Sequence, residues 1–112
     1  MTNISFDQFK QLDLRVGEIK TADDIEGADR LYKLSVDIGD PGELRTIIAG
    51  IKLHYTKEEL IGKKIVVLAN LEPKELKGVM SHGMLLAAVF GEPRQVVIIT
   101  VDKDSPNGAK VS

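Results

Sequence analysis

Apolar residues recur at every second position in several short runs of this chain, and helical spacing is confined to two brief stretches. Tyr32, Leu34, Val36 and Ile38 alternate with Lys33, Ser35 and Asp37, the pattern of a half-buried strand. Gly39-Asp40-Pro41-Gly42 supplies a turn and Leu44 to Ala49 a partner strand, which together predict a hairpin. Upstream, Leu14 and Val16 alternate, but after Gly17 the apolar parity moves to Ile19. A parity change at glycine predicts a bulged, coiled first strand. Residues 20–30 are polar with one glycine and read as a strand end and loop. Ile65 to Leu71 is apolar on both faces, Glu72 to Val79 reads as a loop, and Met84 to Phe90 predicts another buried strand. After the Gly91-Glu92-Pro93 turn comes a β-branched run, Gln95 to Val101, and Ser105-Pro106-Asn107-Gly108 suits a type I turn. The two helical stretches carry capping boxes, Ser5 with Gln8 and Thr56 with Glu59. Ile4 and Phe9 have the spacing of a hydrophobic staple on the first, which Leu12 and Asp13 close, and Gly62 stops the second.

The order is three strands, a short helix, two strands, then an extra strand and tail. It predicts an all-β fold with short helices: a five-stranded OB-fold barrel with a C-terminal strand extension. The 112 residues fit one domain, 1–112, with an N-terminal helix in 1–12 and the extension in 92–112. Apolar residues at 43 % and charged residues at 29 % are ordinary globular usage, which excludes wholesale disorder. The longest apolar stretches are far shorter than the roughly 20 residues a membrane helix needs. The N-terminus lacks the basic flank and apolar region of a secretory signal, so a cytoplasmic location is expected.

Charge changes the picture only locally. Residues 1–45 carry six basic and ten acidic side chains, and residues 46–112 nine and seven. With no long-range positive field, any nucleic-acid role must rest on a local patch. Catalytic chemistry is poorly supplied. There is no cysteine, and the two histidines, His54 and His82, have no metal-ligand spacing. No dinucleotide, phosphate-loop or nucleophile-elbow pattern occurs. Ser81 and His82 are neighbours, which on an extended chain face opposite ways. Neither an enzyme nor a cofactor or metal site is expected.

Two stretches carry a resemblance. One is Asp13-Leu14-Arg15-Val16-Gly17-Glu18-Ile19 with Ala28-Asp29-Arg30-Leu31-Tyr32-Lys33-Leu34. The other is Val66-Val67-Leu68-Ala69-Asn70-Leu71-Glu72-Pro73-Lys74, continuing Leu76-Lys77-Gly78-Val79-Met80-Ser81-His82-Gly83-Met84. With Ile48-Ala49-Gly50-Ile51 and the Glu58 to Lys64 helix, they resemble the tRNA-binding domain family. That family includes the domain appended to methionyl-tRNA synthetases, the separate β subunit, and stand-alone structure-specific tRNA-binding proteins. The resemblance covers about residues 10–112, and N-L-x-P-K, L-x-G-V and S-x-G-M in order are together specific. The chain departs from the pattern at Ile25-Glu26-Gly27, where the family often has His-Pro, and at His82, where it commonly has Gln. Asn70-Leu71-Glu72-Pro73 is closer to the synthetase branch than to the secretion-chaperone branch.

The resemblance implies an RNA-binding set: Arg30, Asn70, Lys74, Lys77, Ser81 and Met84. Arg30 matches the family's basic residue after Ala-Asp, a phosphate ligand. Asn70 is an RNA contact at a strand end or a structural amide bonding its own loop. Lys74 and Lys77, three apart, form a phosphate clamp or a solvated face shared with Glu72 and Glu75. The Ser81 hydroxyl beside Gly78 and Gly83 bonds phosphate or a ribose 2′-OH, or simply holds a turn. Met84 is a rim contact or core. Tyr32 begins the alternating stripe and belongs to the core, while Lys63 and Lys64 suit a helix C-terminus. The implied partners are tRNA, a second copy of the chain, since Gln95 to Val101 is more apolar than one buried face requires, and a methionyl-tRNA synthetase catalytic subunit. The alternative is a chaperone-type barrel that binds peptides.

Overall fold

Ser5 caps α1 (Phe6–Lys10): its Oγ accepts the Gln8 N–H at 3.1 Å, and Gln8 Oε1 accepts the Ser5 N–H at 2.8 Å. The computed structural model describes residues 2–112; Met1, part of the expected 1–12 segment, lies outside them. Five-residue α1 buries none of its own side chains, and Phe6 and Phe9 stack with ring centres 6.5 Å apart. After it come β1 (Leu14–Ile25), β2 (Ala28–Asp37), β3 (Arg45–Ala49), α2 (Lys57–Leu60), β4 (Lys64–Leu68), β5 (Lys74–Leu76), β6 (Val79–Ser81), β7 (Met84–Leu85), β8 (Ala87–Phe90) and β9 (Gln95–Ile98). Thr56 caps α2 with the expected box to Glu59.

Five antiparallel strands, ordered β3-β2-β1-β4-β7, make a nearly closed barrel, and β5–β6 and β8–β9 are separate hairpins. Closure runs along the β3 edge. The His82 N–H donates to Thr46 O at 2.9 Å, and the Ile48 N–H donates to Ser81 Oγ at 3.0 Å. Ile19, Leu34, Val36, Ile38, Ile47, Leu60, Ile65 and Val67 are fully buried in the core, with Val96 and Ile98 of β9 packed in behind them. Tyr32 is core, as expected, and its hydroxyl donates to Tyr55 O at 2.8 Å.

Four readings of the pattern need correction. The first strand is bulged as expected, but against β2 beyond Ile19 and not at Gly17, which sits opposite Ile65 in an unbroken register with β4. A Cβ there would lie 2.8 Å from Val36 Cγ1, so glycine is needed for room inside the barrel. Leu14 and Val16 are buried on the other face, so the parity change records a strand covered on both sides. The register shifts against β2 fall later, at Ile19/Thr21 and Asp24/Ile25, and β1 continues through residues 20–25. Second, the expected loop at 72–79 contains the β5–β6 hairpin, whose Lys77-Gly78 turn has both φ angles positive, 51° and 81°. That is the primed turn that matches strand twist. Third, Met84 to Phe90 is two strands broken at Leu86, and Ala88, Val89 and Phe90 are exposed. Leu86 N–H donates to Val66 O and its carbonyl accepts from Ile99, each at 3.0 Å, which turns the chain from barrel to hairpin.

Fourth, the C-terminal turn lies one residue later than expected: the Ala109 N–H donates to Pro106 O at 3.1 Å. From it the tail runs beside the first half of β1. Gly108 N–H donates to Val16 O at 2.8 Å, Val16 N–H to Ala109 O at 2.9 Å, and Val111 N–H to Leu14 O at 2.8 Å. Lys64 Nζ donates to Ser105 O and Asn107 Oδ1, both at 2.7 Å. Asn107 Nδ2 in turn donates to Glu18 at 3.2 Å and Asp37 at 3.1 Å. The end of the extension thus pairs with β1, while β9 stays in its own hairpin.

Candidate nucleic-acid interface

The β5–β6 hairpin is held against the barrel by apolar contacts at its tip. Leu76 and Val79 pack, with Leu31, on a small second core of Ile25, Ala28 and Ile48. That packing sets the Lys77-Gly78 turn beside the β1–β2 turn. Gly27, Ala28, Asp29, Arg30, Leu31 and Lys77 line one shallow cleft there, of about 350 Å³. Arg30 and Lys77 thus share a site. Lys74 does not line it, because it pairs with Ser81 at the other end of the hairpin, about 10 Å away for a three-residue strand. All three cations are exposed.

Asn70 and Ser81 are engaged elsewhere. Asn70 Oδ1 accepts the Asp13 N–H at 2.9 Å and its Nδ2 donates to Gln11 O at 2.6 Å, so the amide ties the end of β4 to the segment entering β1. It bonds distant backbone and not its own loop. Ser81 is 6 % exposed, accepts from Ile48 N–H and donates to Gly83 O at 3.1 Å. Its hydroxyl links the β3 edge to the turn before β7. Met84 is exposed and lines an apolar groove of about 630 Å³ with Leu85, Val89, Val96 and Ile99, apart from the Arg30–Lys77 cleft.

The alternation in β2 and β3 puts a further polar strip on the outer wall between the clefts. Lys33 pairs with Ile48, and Ser35 with Thr46. At the base of the β5–β6 hairpin lies another cleft, of about 390 Å³, lined by Leu44, Arg45, Thr46, Ala69, Leu71, Pro73 and His82. Arg45 Nη1 donates to Ala69 O, and its Nη2 stands 3.6 Å from Asp40. Asp40 is held more closely by Arg15 at 3.1 Å, and Arg15 also grips Asp13 at 2.8 Å. That hydrogen bond keeps the Asp13 carboxyl below its ordinary value. The sequence signal for Lys33 and Ser35 was the period-two stripe itself; Arg45, Thr46 and His82 meet only through barrel closure.

A family model described as "Putative tRNA binding domain" matches residues 14–110. The chain belongs to this tRNA-binding domain family. It is 50 % identical over 111 residues to a methionine–tRNA ligase of Thermococcus kodakarensis, which covers 99 % of this chain and 14 % of that enzyme. The corresponding ligase of Methanocaldococcus jannaschii is 48 % identical over 111 residues, covering 99 % and 17 %. The chain thus spans only a small part of the curated relatives it matches. Among solved structures, the MetRS related protein from Pyrococcus horikoshii superposes with a TM-score of 0.89 at 40 % identity over 100 % of both chains. The CsaA chaperone protein from Picrophilus torridus gives 0.87 at 33 % identity, covering 98 % of this chain and 100 % of that one.

Proposed function

We propose that this family member is a non-catalytic module that grips folded tRNA by its backbone, acting in the cytoplasm as a homodimer and serving a methionyl-tRNA synthetase as a subunit or in trans. The observation that carries the reading is the meeting of Arg30 and Lys77 in one cleft between two hairpin tips, with Lys33 and Lys74 on the adjoining surface. OB-folds bind oligonucleotides with this face and these loops. Recognition by shape follows from what the face lacks. Single-strand binders stack bases on aromatic rings. Here Tyr32 is buried, Phe6 and Phe9 lie on α1, Phe90 lies on β8, and no aromatic side chain lines the Arg30–Lys77 cleft. Cations and hydroxyls serve phosphates and 2′-hydroxyls, which favours a folded RNA over a particular sequence. The test compares intact tRNA with an unstructured RNA of equal length, at one salt concentration with magnesium. Tighter binding of tRNA is expected, with little preference among tRNAs; equal or tighter binding of the unstructured RNA overturns the reading.

The apolar groove beside Met84 and the CsaA likeness favour a second reading, a chaperone-type barrel that binds peptides. Selective capture of unfolded polypeptide without RNA would support it.

A further inference from the structure

The cleft at the base of the β5–β6 hairpin is separate from the Arg30–Lys77 cleft, and its lining has a different chemistry. Leu44 at 54 % exposure and Leu71 at 42 % stand open to solvent beside Pro73, so apolar surface forms the walls. Arg45, Thr46 and His82 supply the polar end. The guanidinium is fixed by the Ala69 carbonyl at Nη1, yet its Nη2 is beyond hydrogen-bond reach of Asp40 and can turn a donor to a ligand. Glu72 and Lys74, on either side of Pro73 in the chain, are both exposed and do not line the cleft.

We propose that this cleft takes one unpaired nucleotide, with its base against Leu44, Leu71 and Pro73 and its phosphate toward Arg45 and His82. The inference rests on the reading of the chain as an RNA-binding module and names a subsite within it. A nucleotide suits the lining because it combines a flat apolar surface with an anion, and about 390 Å³ lies within the usual range of small-molecule sites. An extended peptide suits it less. Strand addition needs free backbone groups, and here the β3 edge is already bonded, Thr46 O to the His82 N–H and the Ile48 N–H to Ser81 Oγ. The site holds one base in a surface that otherwise reads backbone.

The test uses the full chain labelled for NMR, titrated separately with AMP, CMP, adenosine and inorganic phosphate. AMP and CMP should shift the resonances of Leu44, Leu71 and His82 together, more than either adenosine or phosphate does. Leu44→Ser with Leu71→Ser alters two exposed side chains, so the fold should survive, as its amide spectrum will verify. This variant should lose the mononucleotide shifts and weaken tRNA binding about fivefold, through lost apolar contact with the base. The proposal is overturned if AMP and CMP leave the cleft unmoved, if phosphate alone reproduces their shifts, or if the double variant binds tRNA as the native chain does. A chain that binds no tRNA but shows the mononucleotide shifts keeps the subsite and removes the tRNA reading. A chain that binds tRNA through Arg30 and Lys77 without those shifts keeps the tRNA reading and removes the subsite.

Discussion

Gly39 and Gly108 pack backbone to backbone: a Cβ on Gly39 would lie 2.7 Å from the Gly108 Cα, and one on Gly108 would lie 2.9 Å from the Gly39 Cα. Both also have left-handed φ angles, 91° and 89°. The turn after β2 and the C-terminal turn meet here, and no other residue fits at either position. Gly108→Ala should therefore destabilise the protein by about 2–4 kcal/mol, from steric overlap and the strained φ together. Urea unfolding checks the size. Hydrogen exchange checks the cause, since the amides of Val16, Gly108 and Val111 should lose protection before those of Leu34 or Val67.

Acid should loosen the same region. The Gly39 N–H, 2.8 Å away, holds the Asp37 carboxyl below its ordinary value of 3.8, with Asn107 adding to it. A hydrogen bond from Lys20 lowers Glu18 below 4.5, and Asn107 contributes there as well. Carboxyls depressed in the folded state contribute stability that is fully present above their unfolded pKa and lost as pH falls through the folded one. The thermal midpoint should be level from neutral pH down to about 5 and fall below about 4.5. Asn107→Ala should lower the unfolding free energy at neutral pH by about 1–3 kcal/mol and make the acid decline of the midpoint shallower. An unchanged acid slope in the variant would show that Asn107 does not set it.

Reversing charge at the hairpin tips should weaken binding to different tRNAs alike. If each subunit engages about three or four phosphates, the logarithm of affinity should fall with the logarithm of salt with a slope of about −2 to −3. Arg30→Glu with Lys77→Glu should flatten that slope by about 1.4, and Lys74→Glu by about 0.7. Fluorescence titration over a salt series measures both, and unaltered slopes would place the RNA elsewhere.

The β8–β9 hairpin presents apolar side chains that the barrel does not cover, among them Phe90 at 56 % and Val97 at 46 % exposure. Surfaces of this kind mark interfaces. Light scattering at micromolar concentration should give twice the chain mass. Val97→Lys with Phe90→Lys should give a monomer that keeps its fold and binds tRNA less tightly through lost avidity. A monomeric native chain removes the dimer.

The barrel was legible because the alternation along β2 is clean and the turns and caps between strands are marked by their residues. Tyr32, Leu34, Val36 and Ile38 are all buried, and both capping boxes form as their residues require. The readings that failed did so where tertiary contacts override a local pattern. Gly17 looked like a bulge because burial on both faces of β1 mimics a parity shift, and the 72–79 hairpin was hidden because lysine, not asparagine, opens its turn. For the site, Arg30, Lys74 and Lys77 were readable as exposed cations, although Arg30 and Lys74 lie on strands. Asn70 and Ser81 were readable as ligand contacts or as structural ties; Ser81 does hold its own turn through Gly83, but the longer ties, to partners 57 and 33 residues away, were not readable. Nothing local to either residue distinguishes a ligand contact from a girder.

Lys77 is the one non-glycine residue with positive φ among the described residues, and the turn it opens would be more comfortable with asparagine. A lysine there carries a conformational cost that its charge must repay in some other way. Lys77→Asn should therefore raise the unfolding midpoint while lowering tRNA affinity, so that selection for heat resistance alone would discard this side chain and selection for binding would restore it.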